Sequence, residues 1–327
     1  MRASRCFVLT VALLTGLLFT ATAQAATPAR LLAKYQPVTY FTDDEAFRPT
    51  TVDTFIADST LERFNPATGT FVTVDPDPSP STLPSSGAGW RLNQQPCSPI
   101  DGSAGEDCYA AAWASQNAPG TVYGRVVRTG GKVVVQYWYF YYDDFYSYTP
   151  VRSDFIWQTH EGDWEVVNVL LNGDEEPLSV AYSQHCLGAS RSWSKTPRWR
   201  GHHPIVYVAR GSHANYFGPG IHPWNGACLP AQVIGFFTQA GLPLPADFTG
   251  AAAAAGPTTF GAETTAVQRV TDSSPAWIGF PGTWGEFEYL HAPAPIGTVL
   301  FGQSPVGPAQ HSVWSDPLGT LATWPAG

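Results

Sequence analysis

Residues 132–145 read K-V-V-V-Q-Y-W-Y-F-Y-Y-D-D-F, apolar or aromatic at nearly every position. A segment with no polar face predicts a strand covered on both sides, inside a sandwich or beneath a layer of loops. Residues 121–128 form a second extended run, joined to the first by Thr129-Gly130-Gly131, a good hairpin turn. Further strand-like segments lie at 37–41, 51–55, 70–74, 157–171, 177–183 and 203–209. Short helices are expected at 26–33 and 231–239. Residues 75–89, 93–107, 187–200 and 241–257 read as loops, punctuated by Pro, Gly, Ser and Asp. The tail, 275–327, alternates turn signals with Trp277, Phe280, Trp284, Phe287, Tyr289, Phe301 and Trp314, a pattern expected to pack back on the sheet. The fold expected is all-β: a β-sandwich with long loops and a few short helices. Its core lies at about 121–225, with Pro/Gly-rich loops at 75–110 and 241–260.

Composition supports this picture and adds a compartment. There are 31 Gly, 29 Pro and 13% aromatic residues among 327, which suits many turns between β-formers. Residues 1–25 have the form of a secretory signal peptide. Arg2 and Arg5 precede an apolar run at 7–20, and Ala23-Gln24-Ala25 has the small-x-small form of a cleavage site. No later stretch is apolar for long enough to suggest a membrane helix. The expectation is a secreted, extracellular chain with one domain at 26–327 and no transmembrane segment after the leader. The net charge is −9, and loss of Arg2 and Arg5 makes it two charges more negative. That excludes a nucleic-acid partner, which needs a basic face. It also excludes simple attraction to anionic lipid, but not recognition of a neutral or glycosylated head group.

Cys6 leaves with the leader. Cys97, Cys108, Cys186 and Cys228 remain, an even set in an oxidising compartment, so disulfides are expected. Three pairings are possible, and proximity favours Cys97–Cys108 with Cys186–Cys228.

Charged residues are only 13% of the chain, yet residues 158–165 read Q-T-H-E-G-D-W-E. On a strand, Asp163 and Glu165 share a face and Trp164 takes the other. A turn entering the strand brings His160 beside them, and Asp143 reaches the same spot if the two long strands are neighbours. An imidazole and several carboxylates held together out of water repel one another unless a cation neutralises them. Asp143, His160, Asp163 and Glu165 are therefore the candidate ligands of a divalent cation. Mg²⁺, Ca²⁺ or Mn²⁺ suits so many carboxylates better than Zn²⁺. The plainer alternative is a hydrogen-bonded charged turn at a strand start.

Glu161 follows His160, but the zinc-protease pattern needs a second His where Trp164 stands. His185 and His213 each follow a strand of similar character. They are expected at one end of the sheet with Glu161 and Ser212, lining a cleft around the cation. Ser212 lacks a nucleophile elbow, and no catalytic residue can be assigned. Asp43-Asp44-Glu45 reads as a solvated turn. His202-His203 reads as structural. Arg191, Arg198 and Arg200 with Trp193 and Trp199 read as an ordered surface loop.

These motifs resemble the Vps62-related proteins. The resemblance rests on the 35–55 segment, W-Y-F-Y-Y-D at 138–143, H-E-G-D-W-E at 160–165, Y-S-Q-H at 182–185, P-I-V-Y-V-A-R-G-S-H-A-N-Y-F at 204–217 and G-T-W-G-E at 282–286. A more distant resemblance is to necrosis-inducing, NPP1-type proteins, whose heptapeptide G-H-R-H-D-W-E aligns with His160, Asp163 and Glu165. The Asp of their preceding W-Y-F-P-K-D strand falls on Asp143. That resemblance implies a divalent cation held by these four positions in a β-sandwich, and a lipid or glycan head group as partner. Here Glu161 and Gly162 stand where the heptapeptide has Arg and His, so toxicity is not implied. Three readings follow: a cation-dependent binder of a glycan or lipid head group, a metal-dependent hydrolase of a phosphoester or glycan with Glu161 or His185 as base, or a structural envelope-associated domain.

Overall fold

The structure is a computed structural model that describes residues 25–148, 152–224, 231–250, 259–261, 265–294 and 296–327. The expected leader falls almost wholly on 1–24, outside the described residues. The chain is mostly strand with short helices, a β-sandwich with loops as expected.

The largest sheet has eight strands. Its centre is the hairpin partner Lys132–Ser147, flanked by Val122–Thr129 and Trp157–Leu171. The latter two are in register with it over nearly their whole length. Both faces of Lys132–Ser147 are buried, as its unbroken apolar pattern demands. Tyr137 and Tyr141 face the N-terminal side of the fold. The Tyr137 hydroxyl donates to the Leu32 carbonyl at 2.8 Å, and Tyr141 meets Phe41 edge-on. Trp138 and Phe140 face the tail, where Phe140 packs on Trp164 and Trp284 with centroids 4.8 and 5.2 Å apart. Trp138 lies against Trp314. The tail therefore supplies one layer of the core.

The far edge of Trp157–Leu171 is shared between two strands. Glu288–Ala292 pairs with residues 157–159, and Pro177–Gln184 pairs with residues 167–171. Residues 160–166 lie between these ladders without a strand partner on that edge among the described residues. The gap opens at the acidic stretch.

Several segments differ from their sequence patterns, among them residues 246–249, read as loop but forming the strand Ala246–Thr249 paired with Gly220–Pro223. Residues 51–55, read as extended, belong to the helix Val52–Ala57, whose first turn is capped by Thr51 accepting from the Asp53 amide. Residues 103–107, read as loop, start the helix Ser103–Ser115, where alanines raise helix propensity beyond the Gly and Asp signals. Leu187–Ser192, read as loop, is a strand paired with Pro177–Gln184 across a tight turn at His185-Cys186. Cys97 and Cys108 form a disulfide. Cys186 is disulfide-bonded, and Cys228 lies outside the described residues.

Candidate metal centre

Gly162 organises the site. It sits in the left-handed region at φ +60°, and a Cβ there would stand 2.6 Å from the Trp284 carbonyl oxygen. A left-handed residue inside a strand breaks the alternation of side chains. Asp163 is on the face of Tyr141, since both meet His213. Glu161, by contrast, reaches Tyr109, which packs edge-on against Tyr142 on the opposite face. His160 consequently shares a face with Asp163. The partner strand undergoes the same change of phase, and Asp144 joins them. One ligand atom from each of Asp144, His160 and Asp163 lies within 4.8 Å of the other two.

Asp144 thus occupies the place expected for Asp143. Asp143 is fully buried on the other side, and neither of its oxygens has a hydrogen-bond partner of good geometry. Burial, then Glu106 and Glu161, hold its carboxyl well above the usual carboxylate range. Glu165 borders the same cavity as the cluster but is engaged by Ser183 and by Asn215, whose amide donates at 3.2 Å. It stands beside the three converging groups rather than among them.

The tautomer of His160 is fixed. Its Nδ1 lies 2.7 Å from the Gly162 carbonyl oxygen, which can only accept, so Nδ1 carries the proton. Nε2 faces Asp144 Oδ2 at 3.6 Å, too far for a hydrogen bond. That spacing leaves room for a cation between the ring edge and the carboxylate. Burial, then Asp163, push the Asp144 carboxyl well above its usual range, and His213 opposes them. Two carboxylates and an imidazole converging in this way fit a divalent cation.

His213 supports the cluster from behind. Buried and stacked on Tyr141 at 3.8 Å, it reaches Asp163 Oδ2 at 3.0 Å through Nδ1 and Glu45 Oε1 at 3.4 Å through Nε2. Burial opposes its charged form, but the two carboxylates outweigh it and raise its pKa well above the ordinary value. Glu45 is therefore no solvated turn residue. It is buried, and it also accepts the Gly211 amide at 2.7 Å. Asp163, with one oxygen on His213, is held in orientation with the other accepting the Trp164 amide.

His185 and Ser212 both meet Asp247, a buried residue whose role the sequence did not signal. His185 Nε2 lies 2.6 Å from Asp247 Oδ2, and the Ser212 hydroxyl donates to Oδ1 at 2.6 Å. Burial would raise the Asp247 carboxyl, but His185, Ser212 and Tyr216 bring it below its usual range. The Ser212 hydroxyl is thus committed to a carboxylate. His185, Ser212 and the metal cluster border one cavity of about 410 Å³, with Trp224 and Tyr146 also on its wall.

Glu161 leaves the cleft altogether. It is buried and accepts from the Tyr109 hydroxyl at 2.9 Å and from the Gln94 and Glu286 amides at 3.2 and 3.0 Å. It ties three elements together. These donors favour the carboxylate, but burial is the larger influence and its pKa is pushed up to about 8. Unfolded, the group ionises near 4.5. The folded chain holds this proton more tightly, so Glu161's contribution to stability falls as pH rises from about 4.5 to about 8 and is level above that. Glu161→Gln has the same shape and no proton to lose. Thermal melts at pH 5, 7 and 9 are expected to show a shallower decline for the variant, with cation content unchanged. An equally steep decline would remove Glu161 as its source.

No protein-family model matches the chain, and no curated protein matches it. The Vps62-related family suggested by the motifs is thus without support from either comparison. Solved necrosis-inducing proteins do resemble it. One, described as NLPPya in complex with glucosamine, is 18% identical over 30% of this chain and 44% of its own, with a TM-score of 0.24. The match thus spans less than half the length of that protein. Another, described as a toxin fold as basis for microbial attack and plant defense, is 15% identical over 59% of this chain and 71% of its own, with a TM-score of 0.35. A third, Necrosis and Ethylene inducing Protein 2 from the causal agent of cocoa's Witches Broom disease, is 18% identical over 60% of this chain and 72% of its own, with a TM-score of 0.32. The likeness is partial, and the site is read from its own geometry.

Proposed function

We propose that this chain is a secreted β-sandwich protein that binds a divalent cation through Asp144, His160 and Asp163. The cation would form the floor of a cavity that recognises a glycan or lipid head group. The observation that carries this reading is the convergence of one ligand atom from each of Asp144, His160 and Asp163 within 4.8 Å of one another. Oxygen-rich ligation favours Mg²⁺, Ca²⁺ or Mn²⁺ over Zn²⁺. Secretion rests on the leader pattern of residues 1–25.

Recognition is favoured over hydrolysis by what surrounds the cluster. Glu161 is buried away from the cavity, and Ser212 is committed to Asp247. The rings of Trp224 and Tyr146 lie on the cavity wall with centroids 5.0 Å apart and planes tilted by 31°, with His185 against Trp224. An aromatic wall beside a polar floor suits a ring with one apolar face and a hydroxylated edge.

A glycan and lipid array probed with the mature protein, with Ca²⁺, Mg²⁺ or Mn²⁺ and then with chelator, tests the reading. Binding to neutral glycans or glycosylated lipids that disappears with chelator is the expected result. Trp224→Ala is expected to lose at least tenfold in ligand affinity while retaining the cation. Binding that persists in chelator would separate recognition from the metal and defeat the proposal.

A further inference from the structure

The strand Glu288–Ala292 closes one end of the gap beside the cation cluster. Its last ladder pair there is Tyr289 with Thr159, so Glu288 comes one step further, opposite His160. Its side chain borders the same cavity as Asp144 and His160. Among the described residues lining this cavity none is Lys or Arg, so no basic side chain neutralises Glu288 there.

The carboxylate is also aimed. Gln158 Nε2 donates to Glu288 Oε1, and Gln158 Oε1 accepts from the Tyr148 hydroxyl at 2.7 Å. Oε2 lies over Gly302 on the neighbouring strand, where any Cβ would collide with it. Glu288 is not one of the three groups that converge within ligand distance. An oriented carboxylate just outside a cation's ligand set has a defined chemical use. Water bound to a divalent cation is a strengthened hydrogen-bond donor and needs an acceptor, and such outer partners raise metal affinity.

We infer that Glu288 is the outer carboxylate of this cation site, accepting a hydrogen bond from cation-bound water and thereby setting cation affinity. The inference rests on the cation reading above. It assigns to the tail a role in the site as well as in the core.

Mn²⁺ serves as the probe, titrated into the mature protein by electron paramagnetic resonance, with water-proton relaxation to follow its bound water. Glu288→Gln is expected to weaken Mn²⁺ binding by about 10-fold or more, within the range seen when outer partners of a metal are removed. Gly302→Ala keeps every charge and displaces only the flexible end of Glu288, so it is expected to weaken binding in the same direction. Both variants should melt with the wild-type protein when chelator is present and should alter the relaxation of bound water, which a merely structural residue would leave unchanged. Asp144→Ala is the reference. If it loses Mn²⁺ while Glu288→Gln and Gly302→Ala bind within twofold of wild type, the role of Glu288 is overturned and the site stands. If Asp144→Ala itself binds Mn²⁺ normally, the site reading falls, and the inference falls with it.

Discussion

Asp144→Ala is expected to abolish stoichiometric cation binding, whereas Asp143→Asn leaves it intact. Asp144 contributes one of the three groups that converge among the described residues. Removing it leaves His160 and Asp163, too few protein ligands for a hard divalent ion in competition with water. Asp143 is buried on the other face, so its amide counterpart removes a buried acid without touching the cluster. Metal analysis of the purified variants reads the outcome directly, and melting reads its energy. A ligand present at 100 times its dissociation constant stabilises the folded chain by about 2.7 kcal/mol. At about 2–4 °C per kcal/mol, the wild-type protein should lose about 5–10 °C on addition of chelator. Asp144→Ala should melt at the same temperature with and without chelator. Should Asp143→Asn lose the cation and Asp144→Ala keep it, the assignment of faces is reversed and the site must be rebuilt around Asp143.

The contrast between these neighbours shows what the sequence could convey. The long apolar run at 132–145 announced a strand buried on both faces, and the central hairpin follows from it. The Q-T-H-E-G-D-W-E stretch announced His160 and Asp163, because an imidazole and a carboxylate seldom crowd an otherwise weakly charged chain. The choice between Asp143 and Asp144 depended on alternation, and strict alternation held only up to Gly162. The glycine was visible, but its φ of +60° was not. Glu45, Asp247 and Glu288 were missed for a different reason. Each reaches the site from a segment remote along the chain, and Glu45 lay within an acidic trio that resembled a solvated turn. No local pattern encodes such a meeting. Helix Ser103–Ser115 was hidden by the Gly, Ser and Asp residues at its start, although its alanines favoured it.

Gly162→Ala is expected to damage stability and cation binding together, because one backbone conformation serves both. The left-handed region costs a residue with a Cβ about 1–2 kcal/mol. The new methyl would also meet the Trp284 carbonyl at 2.6 Å, with the Phe55 ring at 3.3 Å. The carbonyl is backbone, so relief requires the tail to move away from the strand, loosening the contacts among Phe55, Phe140 and Trp284. A total loss of about 3 kcal/mol or more follows, or about 6 °C or more in melting temperature. The alternative relief is for the strand to regain an ordinary extended conformation, which would return His160 to the face opposite Asp163 and dissolve the cluster. Either way, cation affinity should fall by at least tenfold. Gly162→Asn separates the two costs, since asparagine tolerates the left-handed region but still carries the Cβ. It should recover part of the stability lost by Gly162→Ala and little of the cation affinity if the carbonyl contact dominates. A Gly162→Ala protein that binds the cation as tightly as wild type would show that His160 and Asp163 share a face without the left-handed glycine, and the change of phase would then have another cause. Glu161 and Gly162 thus divide the work: one ties the strand to the helix Ser103–Ser115 and the tail, and the other turns it, so both govern how His160 and Asp163 are presented.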